Sequence, residues 1–227
     1  MTSENIIISA IDIETIPNKS LVDSLPEPEV SLGNTRDPEK IKEKIAEAKR
    51  KQIDKMALSP FFGRVCSFSM YGNREENRYF KVIPEISESA EIDLITHILE
   101  KIVLPDHWDF LVSWNGKDFD FPFIYKRAAM LRIPLPRNCP PLSHWTKKYS
   151  KEHHCDLMQE YTAWGRDGHL SLDMAGKQFL GHGKTKRDYS TYVDLIESGK
   201  SELIGLDNLC DTELTFNLYN ILQPYLF

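Results

Sequence analysis

Ile6-Ile7-Ile8-Ser9-Ala10-Ile11-Asp12-Ile13-Glu14-Thr15, near the start of the chain, is the stretch on which the fold turns. Its first part is an apolar run of the kind that makes a buried strand. Its end carries two acids, two positions apart. Strand side chains alternate between faces, so Asp12 and Glu14 point the same way and stand close together. Like charges that close repel, and burial penalises both. A divalent cation is the usual remedy, because hard cations take carboxylate oxygens. The plainer alternative is a strand emerging into solvent with two hydrated acids.

The surrounding composition bounds the rest. The chain has 227 residues, 41% of them hydrophobic, with 11 Phe, 9 Tyr and 4 Trp. That is enough apolar material for a sizeable α/β core. No repeat, low-complexity tract or clean linker interrupts it, so a single domain over residues 1–227 is expected. No stretch approaches a membrane span, and the first residues lack the basic and apolar regions of a signal peptide. Cys66, Cys139, Cys155 and Cys210 are widely spaced with no CxxC pair, which fits a reducing cytoplasm and excludes a zinc ribbon. A net charge of −6 argues against whole-surface attraction to nucleic acid. It leaves a nuclease open, because metal filling a carboxylate site changes the local sign. Lys147-Lys148 with Lys151, and Lys184 to Arg187, are local basic clusters that read as solvated loops or as phosphate tracks.

Further along, a strand over Ile6–Ile13 leads through Pro26 and Pro28 to a charged helix over Asp37–Met56. That helix has a narrow apolar stripe of Ile41, Ile45, Ala48 and Ile53. Arg64–Tyr71 and Arg78–Ile83 read as an antiparallel hairpin about Gly72-Asn73. Ser87 or Ser89 caps a helix through Val103, with Ile92, Ile95, Leu99 and Ile102 on one face. A strand over Asp109–Trp114 and a turn at Asn115-Gly116 follow. Asp120 before Phe121-Pro122 suits an N-cap, with a helix to about Met130. Residues 133–152 read as loop, with helical patterns at 156–164, 171–180 and 201–222.

Two more acidic elements accompany the first strand. One is Trp114-Asn115-Gly116-Lys117-Asp118-Phe119-Asp120-Phe121-Pro122. The other is Asp207-Asn208-Leu209-Cys210-Asp211-Thr212, whose acids share a helical face one turn apart. Each alone is weak: Asp120 could simply cap a helix, and Asp211 could be a surface acid. The set of a strand DxE, an N-x-x-x-F-D-x-P and a late helical Asp is what carries weight.

That set resembles the three motifs of the DEDD 3′–5′ exonuclease superfamily, and within it the predicted exonucleases related to the proofreading domain of family-B DNA polymerases. The likeness extends through Leu58-Ser59-Pro60-Phe61-Phe62-Gly63-Arg64-Val65, His154-Cys155-Asp156-Leu157-Met158 and Leu170-Ser171-Leu172-Asp173. It continues to Thr215-Phe216 and Leu218-Tyr219. The resemblance implies an α/β, ribonuclease-H-like fold: a five-stranded mixed sheet flanked by helices, with 37–56 as a charged insertion. It implies two Mg²⁺ or Mn²⁺ ions on Asp12, Glu14, Asp120 and Asp211, bracketing a scissile phosphate. Asp12 would bridge the ions. Glu14 and Asp211 would hold the water-activating one, and Asp120 the other, partly through waters. Thr15, Asn115, Phe119, Lys147 and Lys148 are the candidate substrate contacts. The expected activity is release of nucleoside monophosphates from single-stranded DNA 3′ ends. Alternatives are an RNA 3′ exonuclease, or a catalytically impaired nucleic-acid-binding or replication-scaffold protein.

The chain departs from the family at one point. Asp207 stands where the family carries a water-orienting Tyr, and Leu206 where a sister branch carries His. A carboxylate at 207 is a proton acceptor, an extra ligand or the mark of a weakened site. Asp173, four residues after His169, is a rival third motif, although its surroundings match a packing helix. Other tempting features have bland readings. His153–Asp156 point apart on an extended segment, the G-K-T of Gly183–Thr185 lacks a P-loop's spacing, Trp114 fits the core, and Cys210 is expected to pack inward.

Overall fold

A run of Ile and Ala that is apolar on both faces belongs at the centre of a sheet, and the first strand, β1 (Ile7–Pro17), lies there. The computed structural model describes residues 6–31, 33, 35–103, 109–184 and 192–226. β1 pairs antiparallel with β2 (Gly63–Gly72), which pairs antiparallel with β3 (Tyr79–Val82). On its other edge β1 runs parallel to β4 (Asp109–Ser113), which runs parallel to β5 (His154–Asp156). The order is β3-β2-β1-β4-β5, the expected five-stranded mixed sheet.

Helices cover both faces, as parallel strands require. One face carries α2 (Glu88–Ile102), α3 (Asp120–Met130), the short α4 (Leu142–Trp145) and α7 (Tyr192–Glu197), which enclose Ile11, Ile13, Phe68, Leu94, Ile98 and Phe121. The other carries α6 (Leu172–Phe179) and α8 (Glu202–Leu226), packed over Ala10, Val112 and Cys155. Alternation along β1 therefore sends Ile11 and Ile13 to the first core and Asp12 and Glu14 toward the α8 side. Directly across from the two acids on β2 stand Ser69 and Ser67, whose small side chains leave room for α8. Ser69 Oγ bonds Asn208 and Thr212 there. The pairing of β1 with β2 slips between Glu14 and Thr15, where Cys66 is the extra residue of a bulge. Past the slip, Ile16 joins the same core as Ile11 and Ile13.

Several sequence expectations are corrected. β1 continues to Pro17, so the acids lie within the strand rather than at its end. The β2–β3 connection is a longer loop with a 3₁₀ turn at Glu75–Asn77, not a tight Gly72-Asn73 turn. The stretch 133–152 contains α4. The helix expected over 156–164 is α5 (Leu157–Tyr161) and stops early, where Ala163 and Trp164 turn left-handed at φ 49° and 61°. Cys210 is exposed. Other expectations match: Asp37 and Ser87 accept from Glu39 N and Ala90 N as N-caps of α1 (Pro38–Met56) and α2. α1 buries only Met56, and its following residue is tied to β1 by the Thr15 hydroxyl, which donates to the Ala57 carbonyl at 2.7 Å. Among the described residues, no helix is long and apolar enough to cross a membrane.

Candidate active site

The acids of the first two motifs meet because α3 starts beneath the centre of β1. The turn feeding α3 is sharp. Asn115 takes φ 72°, and a Cβ on Gly116 would run into the Ser113 side chain. Asp156, at the end of β5, holds this turn by accepting from the backbone N–H groups of Asn115 at 3.0 Å and Lys117 at 2.9 Å. Asp120 does not cap the helix; Phe119 is the N-cap residue. Asp120 instead turns its carboxylate toward β1, and its Oδ1 accepts from the Ile13 N–H at 3.0 Å. The N-cap expectation fails because a buried strand amide competes for the same oxygen.

α8 closes the site from above. One oxygen from each of Asp12, Glu14 and Asp211 lies within 4.8 Å of the others. Asp207, one turn before Asp211, is buried too, and its charge adds to the strain on Glu14 and Asp211. The electrostatics follow from crowding without water. Burial, with the neighbouring Asp120 and Glu14, pushes the Asp12 carboxyl well above the usual range. Burial, reinforced by Asp211 and Asp120, lifts Glu14 to about 8. Burial lifts Asp120 to about 7, against the Ile13 hydrogen bond, which favours its charged form. Burial raises Asp211 as well, and Lys184 pulls it back. Hard oxygen donors, converging and over-charged, fit divalent cations of the Mg²⁺ or Mn²⁺ type.

Lys184 is the member of the cluster that the sequence reading did not place there. Its Nζ lies 2.6 Å from Asp211 Oδ2, inside the acid cluster. Asp173, the rival for the third motif, is not one of the clustered ligands. Its Oδ1 accepts from the Lys184 N–H at 3.1 Å, and Lys177 pairs with its Oδ2 at 2.5 Å. The signal for Lys184 was present as a basic residue in a glycine-rich stretch, but only the fold brings it to Asp211. Residues 185–187 of that basic cluster, and Thr185 of the G-K-T, lie outside the described residues.

Over the acids opens a cleft of about 390 Å³. Asp12, Glu14, Asp120 and Lys184 line it together with Ala57, Leu58, Trp114, Asn115 and Phe119, while Asp211 lines a neighbouring pocket that shares Lys184. Phe119 packs against Phe123, ring centroids 5.5 Å apart, and the Trp114 indole N–H donates to the Leu170 carbonyl at 3.2 Å. Thr15 borders the cleft, though its hydroxyl is engaged with Ala57. Lys147 and Lys148 are exposed and do not line the cleft. Lys151 is held by Glu160 at 3.4 Å and by the Leu226 carbonyl. His154 is buried between Ser113 Oγ at 2.8 Å and the Trp145 carbonyl at 3.2 Å, a packing role.

Known proteins resemble this chain in sequence and in fold. Residues 57–224 match the family model described as a predicted 3′–5′ exonuclease related to the exonuclease domain of PolB. DNA polymerase 1 of Sulfurisphaera ohwakuensis is 26% identical over 206 residues, covering 77% of this chain and 23% of the polymerase. DNA polymerase 1 of Sulfolobus acidocaldarius is 30% identical over 138 residues, covering 57% of this chain and 15% of the polymerase. The chain thus spans less than a quarter of the length of these relatives. The family B DNA polymerase from the hyperthermophilic archaeon Pyrobaculum calidifontis superposes with a TM-score of 0.59 at 14% identity, covering 97% of this chain and 25% of that one. At that identity the likeness speaks for the fold, the ribonuclease-H-like α/β class expected from the sequence.

Proposed function

The chain belongs to the family of predicted 3′–5′ exonucleases related to the exonuclease domain of PolB, and from that premise we propose that it removes nucleotides from the 3′ ends of single-stranded DNA. The observation that carries this reading is the convergence of Asp12, Glu14 and Asp211 within 4.8 Å, with Asp120 anchored alongside and Asp12, Glu14 and Asp120 lining an open cleft. We take residues 1–227 as one exonuclease domain with α1 as its insertion, working in the cytoplasm.

Asp12, Glu14, Asp120 and Asp211 would hold two Mg²⁺ or Mn²⁺ ions. When bound, these lower the pKa of the attacking water and stabilise the departing 3′ oxygen. Asp12, whose carboxyl feels the charges of Asp120, Glu14 and Asp211 together, would serve both ions. The rigid β1–α3 junction fixes the carboxylates before substrate arrives, so little reorganisation is needed at the moment of reaction. Asp207, buried one helical turn from Asp211, would accept the proton of the attacking water. Phe119 and Trp114 would support the terminal base by stacking, which tolerates any sequence. Asn115 and the backbone at Thr15 would orient the terminal nucleotide. Lys147 and Lys148 would take phosphates further upstream.

A second reading, a nucleic-acid-binding protein with impaired catalysis, is favoured by the carboxylate at 207 in place of the family's tyrosine. One assay separates the readings. Single-stranded DNA and RNA labelled at the 3′ or the 5′ end are incubated with Mg²⁺, Mn²⁺ or EDTA. Mononucleotide release from the 3′ end, dependent on metal, is the expected result. Binding without cleavage supports the second reading, and faster cleavage of RNA reassigns the substrate.

A further inference from the structure

The ammonium of Lys184 sits where a cation is wanted, 2.6 Å from one of the oxygens that would ligate metal. Local backbone geometry brings it there. Gly181, at φ 79°, turns the chain out of α6. Gly183 passes so close to Asp173 that a Cβ would run into its carboxylate. Asp173 then fixes the Lys184 backbone N–H, while Lys177 steadies Asp173. The positive charge acts on the whole cluster, favouring the ionised forms of Asp12, Glu14, Asp120 and Asp211.

Competition for one oxygen sets the consequence. Asp211 Oδ2 already holds the Lys184 ammonium at 2.6 Å, so a divalent ion ligated there would stand at contact distance from it. Like charges that close in a water-poor site repel strongly. Without metal the same ammonium offsets carboxylate repulsion. We infer that Lys184 is a built-in counter-ion that holds the acid cluster together before metal arrives, and that metal binding displaces it, so that Lys184 sets the metal concentration at which the site fills. This rests on the metal-centre reading above.

The test is a calorimetric titration of the whole chain with Mn²⁺, alongside melting in EDTA, for the parent, Lys184→Met and Lys184→Arg. Methionine keeps the stem and removes the charge. Lys184→Met is expected to bind Mn²⁺ about fivefold or more tightly, the factor matching one partly buried ion pair. It should also melt at lower temperature in EDTA. Lys184→Arg should keep the parent's EDTA melting temperature and weak metal affinity. Unchanged or weaker Mn²⁺ binding by Lys184→Met overturns the inference, whatever the melting temperature does. A parent chain that takes up no Mn²⁺ sinks the metal-centre reading and this inference together, whereas a parent that binds with Lys184→Met indifferent sinks this inference alone.

Discussion

The Asp120 carboxylate accepts a 3.0 Å hydrogen bond from the backbone N–H of Ile13, locking the helix that follows the second motif onto the strand of the first. One oxygen thus serves the fold while the charge serves the site, and substitution can separate the two. Asp120→Asn keeps an acceptor for Ile13 and deletes one repelling charge. It should abolish metal-dependent hydrolysis, by about 10²-fold or more, and raise the melting temperature in EDTA. Asp120→Ala orphans the buried Ile13 amide and should lower stability by about 1–3 kcal/mol. Nuclease rates and melting curves of both variants decide; an active Asp120→Asn would confine the residue to structure.

The metal-free protein should lose stability as pH rises. Glu14 has its carboxyl raised from 4.5 to about 8, so in the folded state it holds a proton that the unfolded chain has released. Stability from this group is complete below the unfolded value and is lost as pH climbs through the folded one. Asp120, raised from 3.8 to about 7, behaves alike. His154 acts oppositely, lowered from 6.5 to about 3, but its contribution is flat well above pH 6.5. Urea unfolding in EDTA at pH 7 and at pH 8.5 should show the decline, and saturating Mg²⁺ should remove it. A flat EDTA profile would refute the crowding argument.

Asp207→Ala distinguishes a proton acceptor from an extra ligand. As acceptor, its loss should lower kcat by about 10²–10⁴ with the metal requirement unchanged. As ligand, its loss should raise the metal concentration for half activity. Asp207→Tyr, which restores the family's residue, should increase hydrolysis if the site is impaired. An Asp207→Ala enzyme unchanged in both rate and metal dependence removes the residue from either role.

Lys147→Ala/Lys148→Ala should weaken binding of single-stranded DNA. It should reduce the slope of log affinity against log salt by about 0.7 for each phosphate that the protein no longer neutralises. Lys151 is left intact because Glu160 and the C-terminal end of α8 occupy it. Binding measured by anisotropy across a salt series reads the slope directly, and an unaltered slope takes this surface off the substrate path.

What the sequence revealed and what it hid have separate physical causes. The apolar run exposed β1, because a central strand is buried on both faces, and the period of two put Asp12 and Glu14 on one face. Capping chemistry located α1 and α2, since Asp37 and Ser87 have no better partner than a helix end. β5 was read only as an extended segment, because three residues, two of them His154 and Asp156, show no strand periodicity, and only pairing to β4 makes them a strand. The local role of Asp120 was misjudged because its partner, Ile13, is 107 residues away. Lys184 was hidden for the same reason: its ion pair with Asp211 exists only once α6 and α8 have packed. Cys210 was expected inside from its residue type, but the helical turn that aims Asp211 and Asp207 inward aims position 210 outward.

α8 lies along β1, β2, β3 and β4, and Asn208 and Thr212, flanking Asp211, are knotted to Ser69 beneath them. The last ligand of the proposed centre is therefore fastened to the most cooperative part of the molecule. Amide protons around 208–212 should therefore exchange with solvent only when the whole structure opens, with a free energy equal to that of global unfolding. Lys184 lies outside any helix or strand, and its amide should exchange sooner, by local opening. Exchange would then time the acids by the slow clock of the fold and their resident cation by a faster one.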